Sequence, residues 1–130
     1  MIDLGRHVKR VHLFVFAKER LMPRTSIAGF KLDNEGGFVC APACNYIDDD
    51  GGTGTSEHGG NLSLGMSEYF YPNQHGVGDD WIIEMYIWIM AGNDRTGGQY
   101  FQYDPTVTVY AHYEITGTTL DSSVNFQGVY

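Results

Sequence analysis

Residues 106–116 read Thr-Val-Thr-Val-Tyr-Ala-His-Tyr-Glu-Ile-Thr. Side chains of an extended chain point alternately to opposite sides. Val107, Val109, Ala111, Tyr113 and Ile115 therefore share one face, and Thr106, Thr108, Tyr110, His112, Glu114 and Thr116 share the other. An apolar face backed by a polar one marks a strand with one side in a core and the other toward water. Residues 81–90 alternate in the same way, with Trp81, Ile83, Met85, Ile87 and Ile89 on one side. Their other side, Ile82, Glu84, Tyr86, Trp88 and Met90, is apolar except for Glu84, which predicts a strand that is central or covered on both sides, another subunit being one candidate cover.

Working outward, residues 10–18 read as a further strand, and 17–24 as a short helix limited by Pro23. Ile27–Leu32 and Phe38–Cys40 flank Asp33-Asn34-Glu35-Gly36-Gly37, which has the chemistry of a hairpin turn. Residues 61–71, 99–103 and 122–130 complete the set, and Ala91–Gly98 reads as a loop between two long antiparallel strands. Residues 46–60 and 72–80 are rich in Gly, Asp and other polar residues and read as long exposed loops. The expectation is a single all-β domain over 1–130, an antiparallel β-sandwich or jelly roll of about seven to eight strands with little helix; a small barrel is the alternative.

Composition agrees with this class. The chain has 130 residues, 42% of them hydrophobic and only 18% charged, with 17 glycines and 14% aromatics. Few charges and many aromatics and glycines suit strands and turns and argue against a helical bundle. The net charge of −8 is unevenly spread. Residues 1–31 carry Arg6, Lys9, Arg10, Lys18, Arg20, Arg24 and Lys31 against Asp3 and Glu19, a net of +5. Residues 32–130 hold one base, Arg95, against 14 acids, a net of −13. The basic part could neutralise acids within the fold, dock on the acidic part of a neighbouring copy, or contact nucleic acid; the acidic remainder repels polyanions.

Val11–Ala17 follows a basic start but contains His12 and runs into Lys18-Glu19-Arg20, so it does not read as a leader. No apolar run is long enough to cross a bilayer as a helix. The compartment is left open.

Candidate chemistry is sparse. Asp48, Asp50 and Glu57 are oxygen donors of the kind Ca²⁺ takes, but the spacing departs from the EF-hand pattern, and a solvated loop accounts for them equally. Cys40, Cys44, His58 and His75 could form a Cys₂His₂ zinc set, although both histidines lie far beyond the second cysteine; otherwise the thiols are small apolar residues. Asn61-Leu62-Ser63 fits the glycosylation triplet, a match frequent by chance. There is no Gly-x-Ser-x-Gly elbow and no phosphate loop. No cofactor is expected.

The leading expectation is a non-enzymatic subunit that acts by assembly, of the virion capsid, decoration or appendage kind. Its interface would include Arg6, Lys9, Arg10, Arg20, Arg24, Trp88 and Tyr110, and its partners would be other copies or other structural proteins, with nucleic acid reached only through the N-terminal part. The alternative is a carbohydrate- or receptor-binding module using Tyr69, Tyr71, His75, Tyr100 and Tyr103 with the two loops, because tyrosine offers a flat apolar face and a polar tip. A small metal-dependent enzyme of the cupin type is the third reading.

Overall fold

The structure, a computed structural model, describes residues 24–130. The expected strand over 10–18 and nearly all of the expected helix over 17–24 lie outside that range. Nine strands follow in chain order: β1 (Ser26–Ile27), β2 (Phe30–Asn34), β3 (Cys40–Ile47), β4 (Thr53–Thr55), β5 (Ser67–Phe70), β6 (Ile82–Ile89), β7 (Arg95–Tyr103), β8 (Ala111–Thr118) and β9 (Asp121–Val129). One 3₁₀ turn spans Pro72–His75. They form a β-sandwich of two sheets, ordered β1-β7-β6-β3-β4 (sheet A) and β5-β2-β8-β9 (sheet B).

The long alternating segments behave as their period requires. β6 lies in the middle of sheet A, and Ile83, Met85, Ile87 and Ile89 enter the core. The opposite face of β6 is covered only in part by the chain's own groups, with Tyr86 and Trp88 half-buried and Met90 exposed. Glu84, 6% exposed, accepts hydrogen bonds from Asn45 Nδ2 and the Gly98 N–H, each at 3.0 Å, and the His58 ring stacks on Trp88 at 5.1 Å. In β8, Ala111, Tyr113 and Ile115 face inward as read from the sequence. The strand begins only at Ala111, because Asp104 accepts from the Thr106 N–H and hydroxyl at 2.9 and 2.6 Å and turns the chain there.

The sheets are mixed, which corrects the expected antiparallel arrangement. β1 runs parallel to β7, and β2 runs parallel to β8 with Phe30 beside Ala111. Periodicity reports which face a residue takes and is silent on strand direction. The short β1 and β4 bring the strands among the described residues to nine.

The expected hairpin at Asp33–Gly37 is also corrected: β2 belongs to sheet B and β3 to sheet A, so this turn crosses between sheets. Asn34 is the reason. Its side chain is fully buried, its Nδ2 donates to the carbonyls of Phe38 (2.7 Å) and Leu62 (2.9 Å), and its Oδ1 accepts from the Gly36 N–H (2.8 Å). The Asn34 backbone bonds Met66 O and the Gly65 N–H. A second crossing, between β1 and β2, uses Ala28-Gly29; a Cβ at Gly29 would lie 2.3 Å from the Phe70 carbonyl oxygen, so only glycine fits.

Two segments read as loops are structured. Gly97 and Gly98 lie within β7, where pairing with β6 shifts register between Glu84 and Tyr86; Gly98 takes φ +86°, and a Cβ at Gly97 would meet the Tyr113 ring at 2.8 Å. Residues 53–62 run along the free edge of β3 as β4 and then as a strap. Ser56, Gly59 and Leu62 donate their N–H groups to Cys44, Pro42 and Cys40 carbonyls. Pro42 turns its N–H-less side toward this strap, so the β3–β6 ladder loses no bond there.

Cys40 and Cys44 are both free and fully buried on one side of β3. Four residues of strand separate them by ~13 Å, too far for a disulfide. Burial pushes the Cys40 thiol up to about 11 and that of Cys44 up to about 12.

Two outcomes follow from this architecture. Asn34→Ala removes three buried hydrogen bonds and is expected to cost about 3 kcal/mol in urea unfolding; a loss below about 1 kcal/mol would show that the crossing holds without it. The raised thiol pKa values mean that the folded state retains protons that the unfolded state releases. The stability they contribute is therefore full below the ordinary thiol value of 9.0 and is lost as pH rises toward 11 and 12. Urea midpoints measured from pH 8 to 11 should fall, and Cys44→Ala should flatten the fall by up to about 1.4 kcal/mol per pH unit. A slope identical in the variant would contradict the thiol assignment.

Candidate binding surfaces

Cross-strand register builds the first surface. Tyr69, Lys31, His112 and Gly128 are successive partners across β5, β2, β8 and β9. The alternation that buries Phe30 and Leu32 turns Lys31 and Asp33 outward, and Tyr69 beside Lys31 points the same way. Tyr110 and Tyr130 exchange backbone hydrogen bonds at the end of the β8–β9 ladder.

The result is an aromatic patch on the outer face of sheet B. Tyr69 meets Tyr110 edge to face at 5.0 Å, Tyr71 meets Tyr110 at 6.0 Å, and His112 meets Tyr69 at 6.3 Å. Tyr130 lies flat on His112 at 3.7 Å, and its carbonyl oxygen is 3.1 Å from His112 Nε2. This cover explains why His112, read from the sequence as sitting on a wetter face, is only 9% exposed. Tyr69, Tyr71 and Tyr130 remain 44%, 38% and 63% exposed. Lys31 Nζ sits 5.7 Å from the Tyr69 ring centre and 3.0 Å from Asp33 Oδ1. The hydrogen bond to Asp33 holds the ammonium above its ordinary value, so the pair presents one positive and one negative group side by side.

The second surface lies where the two polar loops meet. Thr55, Ser56 and Glu57 face Gln74, His75 and Gly76 across a cleft of about 310 Å³ that also exposes Tyr46. An adjoining hollow of about 320 Å³ on the β3–β4 ribbon is lined by Asn45, Thr53 and Tyr100 among others. The outer side of sheet A there carries a polar row: Thr55 Oγ1 donates to Asn45 Oδ1 at 2.6 Å, Asn45 donates to Glu84, and Glu84 accepts from Gly98.

The candidates read from the sequence therefore separate. Tyr69 and Tyr71 join Tyr110, which the sequence had assigned to an assembly interface. His75 lies in the loop cleft, stacked on Phe70 at 4.4 Å. Tyr100 is 46% exposed on sheet A beneath the Arg24 guanidinium, 5.7 Å away. Tyr103 is 1% exposed, a core residue whose hydroxyl accepts from the Asn73 N–H. Trp88 is stacked by His58. Arg6, Lys9, Arg10 and Arg20 lie outside the described residues. Sequence reading missed Lys31, His112 and Tyr130 as companions of Tyr69 and Tyr110; the β2–β5 register puts Lys31 beside Tyr69, and the parallel β2–β8 register adds His112, on which Tyr130 stacks.

The metal candidates do not converge. Among the described residues, no three His, Cys, Asp or Glu side chains are placed to share an ion. Asp48 instead accepts from the N–H groups of Asp50 and Gly52, closing its own turn at 2.9 and 2.8 Å. Cys40 and Cys44 face the core, whereas His58 stacks on Trp88 and His75 on Phe70. Among the described residues, no helix is long and apolar enough to cross a membrane.

No model of a known protein family and no curated protein matches the chain. Solved structures with a similar arrangement include one described as "Trapped Toxin", at 16% identity and a TM-score of 0.42, covering 77% of this chain and 23% of that one. A pneumolysin structure matches at 14% identity and a TM-score of 0.39, over 77% of this chain and 23% of that one. Listeriolysin O matches at 20% identity and a TM-score of 0.36, over 77% and 22%. The chain spans less than a quarter of the length of these toxins, and likeness at this distance carries no argument about activity.

Proposed function

We propose that this domain is a non-enzymatic binding module for saccharides and that the aromatic face of sheet B is its platform. The observation that carries this reading is the cluster of Tyr69, Tyr71, Tyr110 and Tyr130 rings on one sheet face, bordered by Lys31, which Asp33 pairs. The C–H faces of a pyranose pack on flat aromatic rings, and its hydroxyls need donors and acceptors at the rim. Tyrosine hydroxyls, Lys31 and Asp33 supply both. Because Lys31 and Asp33 compensate each other at 3.0 Å, the platform suits a neutral sugar over a strongly charged one.

Self-association is a second reading, favoured by the charge polarity of +5 in residues 1–31 against −13 beyond. A capsid, decoration or appendage subunit would be one form of it. Electrostatic docking of this kind weakens with salt.

A glycan array followed by calorimetric titration tests the first reading. Tyr69→Ala and Tyr110→Ala should each weaken a neutral-glycan hit by at least about tenfold, with the melting temperature little changed. Absence of any hit, or hits indifferent to both substitutions, would refute the platform. Sedimentation velocity tests the second: larger species at low salt that dissociate in concentrated salt support it, and a strict monomer in both removes it.

A further inference from the structure

The cleft between the loops shares no residue with the aromatic face, and its chemistry is different. Its floor is Tyr46, whose ring is held by Trp81 at 5.0 Å and lies across Gly54; a Cβ there would come within 2.5 Å of Tyr46 Oη. One wall is fixed by Ser56, which donates its N–H to Cys44 O at 2.8 Å and accepts from the Cys44 N–H through Oγ at 3.0 Å. The other wall is the Pro72–His75 turn. It is closed by the Val77 N–H on Pro72 O, pinned by the Asn73 N–H on Tyr103 Oη, and anchored by His75 stacked on Phe70.

An aromatic floor with walls of Thr55, Ser56, Glu57 and Gln74 combines one apolar surface with donors and acceptors on both sides. The backbones of both walls are held by hydrogen bonds before any ligand arrives, which lowers the ordering cost of binding, while the Glu57 and Gln74 side chains stand exposed to meet the ligand. A cleft of about 310 Å³ sits at the small end of ligand sites and takes one sugar ring, with the adjoining hollow beyond Tyr46 and Thr55 left as a separate space. Glu57 lines it, and the same two loops carry Asp48, Asp49, Asp50, Asp79 and Asp80, so an anionic ligand is repelled.

We infer that this cleft is a second saccharide site, specific for a single neutral or amino hexose, held over Tyr46 between Glu57 and Gln74. It rests on the saccharide reading of the domain for its ligand class only; its residues are separate. The two sites belong to different parts of the sandwich, one on the outer face of sheet B and one beside the β3–β4 ribbon. A single chain is thereby able to hold two sugars of one glycan or to bridge two glycans.

Amide shift mapping by NMR tests this on the whole chain, with methyl glucoside, methyl galactoside, methyl mannoside, glucosamine and sialic acid as probes. The expected result is saturable shifts at residues 55–57 and 74–76 with a neutral or amino hexose and none there with sialic acid. Gln74→Ala should weaken that binding at least tenfold, and Tyr69→Ala should leave it unchanged. Glu57→Gln should remove any preference for glucosamine over methyl glucoside. Shifts confined to residues 69, 71, 110, 112 and 130 would overturn the second site while sparing the platform. Shifts confined to the cleft would leave the second site standing without the platform. No shift at the cleft with any of the five probes, or equal binding of sialic acid there, overturns the inference.

Discussion

The buried amide of Asn34 is the constraint on which the rest of the sandwich leans. A carboxamide removed from water is costly unless its groups find partners, and here Nδ2 and Oδ1 are satisfied by three backbone groups from the turn and from the strap. Those contacts fix where β2 leaves sheet B, where β3 enters sheet A, and where Leu62 lies against Cys40. The strap in turn carries Ser56 and Glu57 to the loop cleft. One polar side chain thus relates the two layers and one of the two candidate surfaces.

Much of the fold was legible because burial imposes a period. Ile83, Met85, Ile87 and Ile89, and likewise Ala111, Tyr113 and Ile115, face the core as their alternation requires. Class, core and most strand positions rest on that signal alone. What was not legible depends on contacts distant in sequence. Asp33–Gly37 has the residues of a hairpin turn, and the decision to cross between sheets is made by Phe38 and Leu62 carbonyls. Gly97-Gly98 resembles a loop because a bulge and a loop use glycine for the same reasons, freedom at positive φ for Gly98 and room for a close neighbour at Gly97. Asp48 resembles an ion ligand because turn closure and calcium binding use the same carboxylate oxygen.

The candidate surfaces were half visible. Tyr69 and Tyr71 stand out as a local aromatic run, and the polar loops stand out by composition. Their partition could not be read. Tyr103 and Tyr69 are the same residue type in similar company, yet one is closed in the core and the other faces solvent. The difference is set by strand parity relative to a sheet whose neighbours are fixed only in three dimensions.

The parallel pairing of β2 with β8 also orders events in time. Phe30 and Leu32 find their neighbours at Ala111 and Tyr113, with seven of the nine strands' worth of chain, counting β2 and β8 themselves, between and including them. On a ribosome, β2 waits for β3 to β7 to be synthesised before its parallel partner β8 emerges and sheet B can close. During that interval β2 has only β5 as a hydrogen-bonded neighbour in its own sheet. A pairing so distant in sequence forms slowly, and sheet B closes only after the strands of sheet A have emerged.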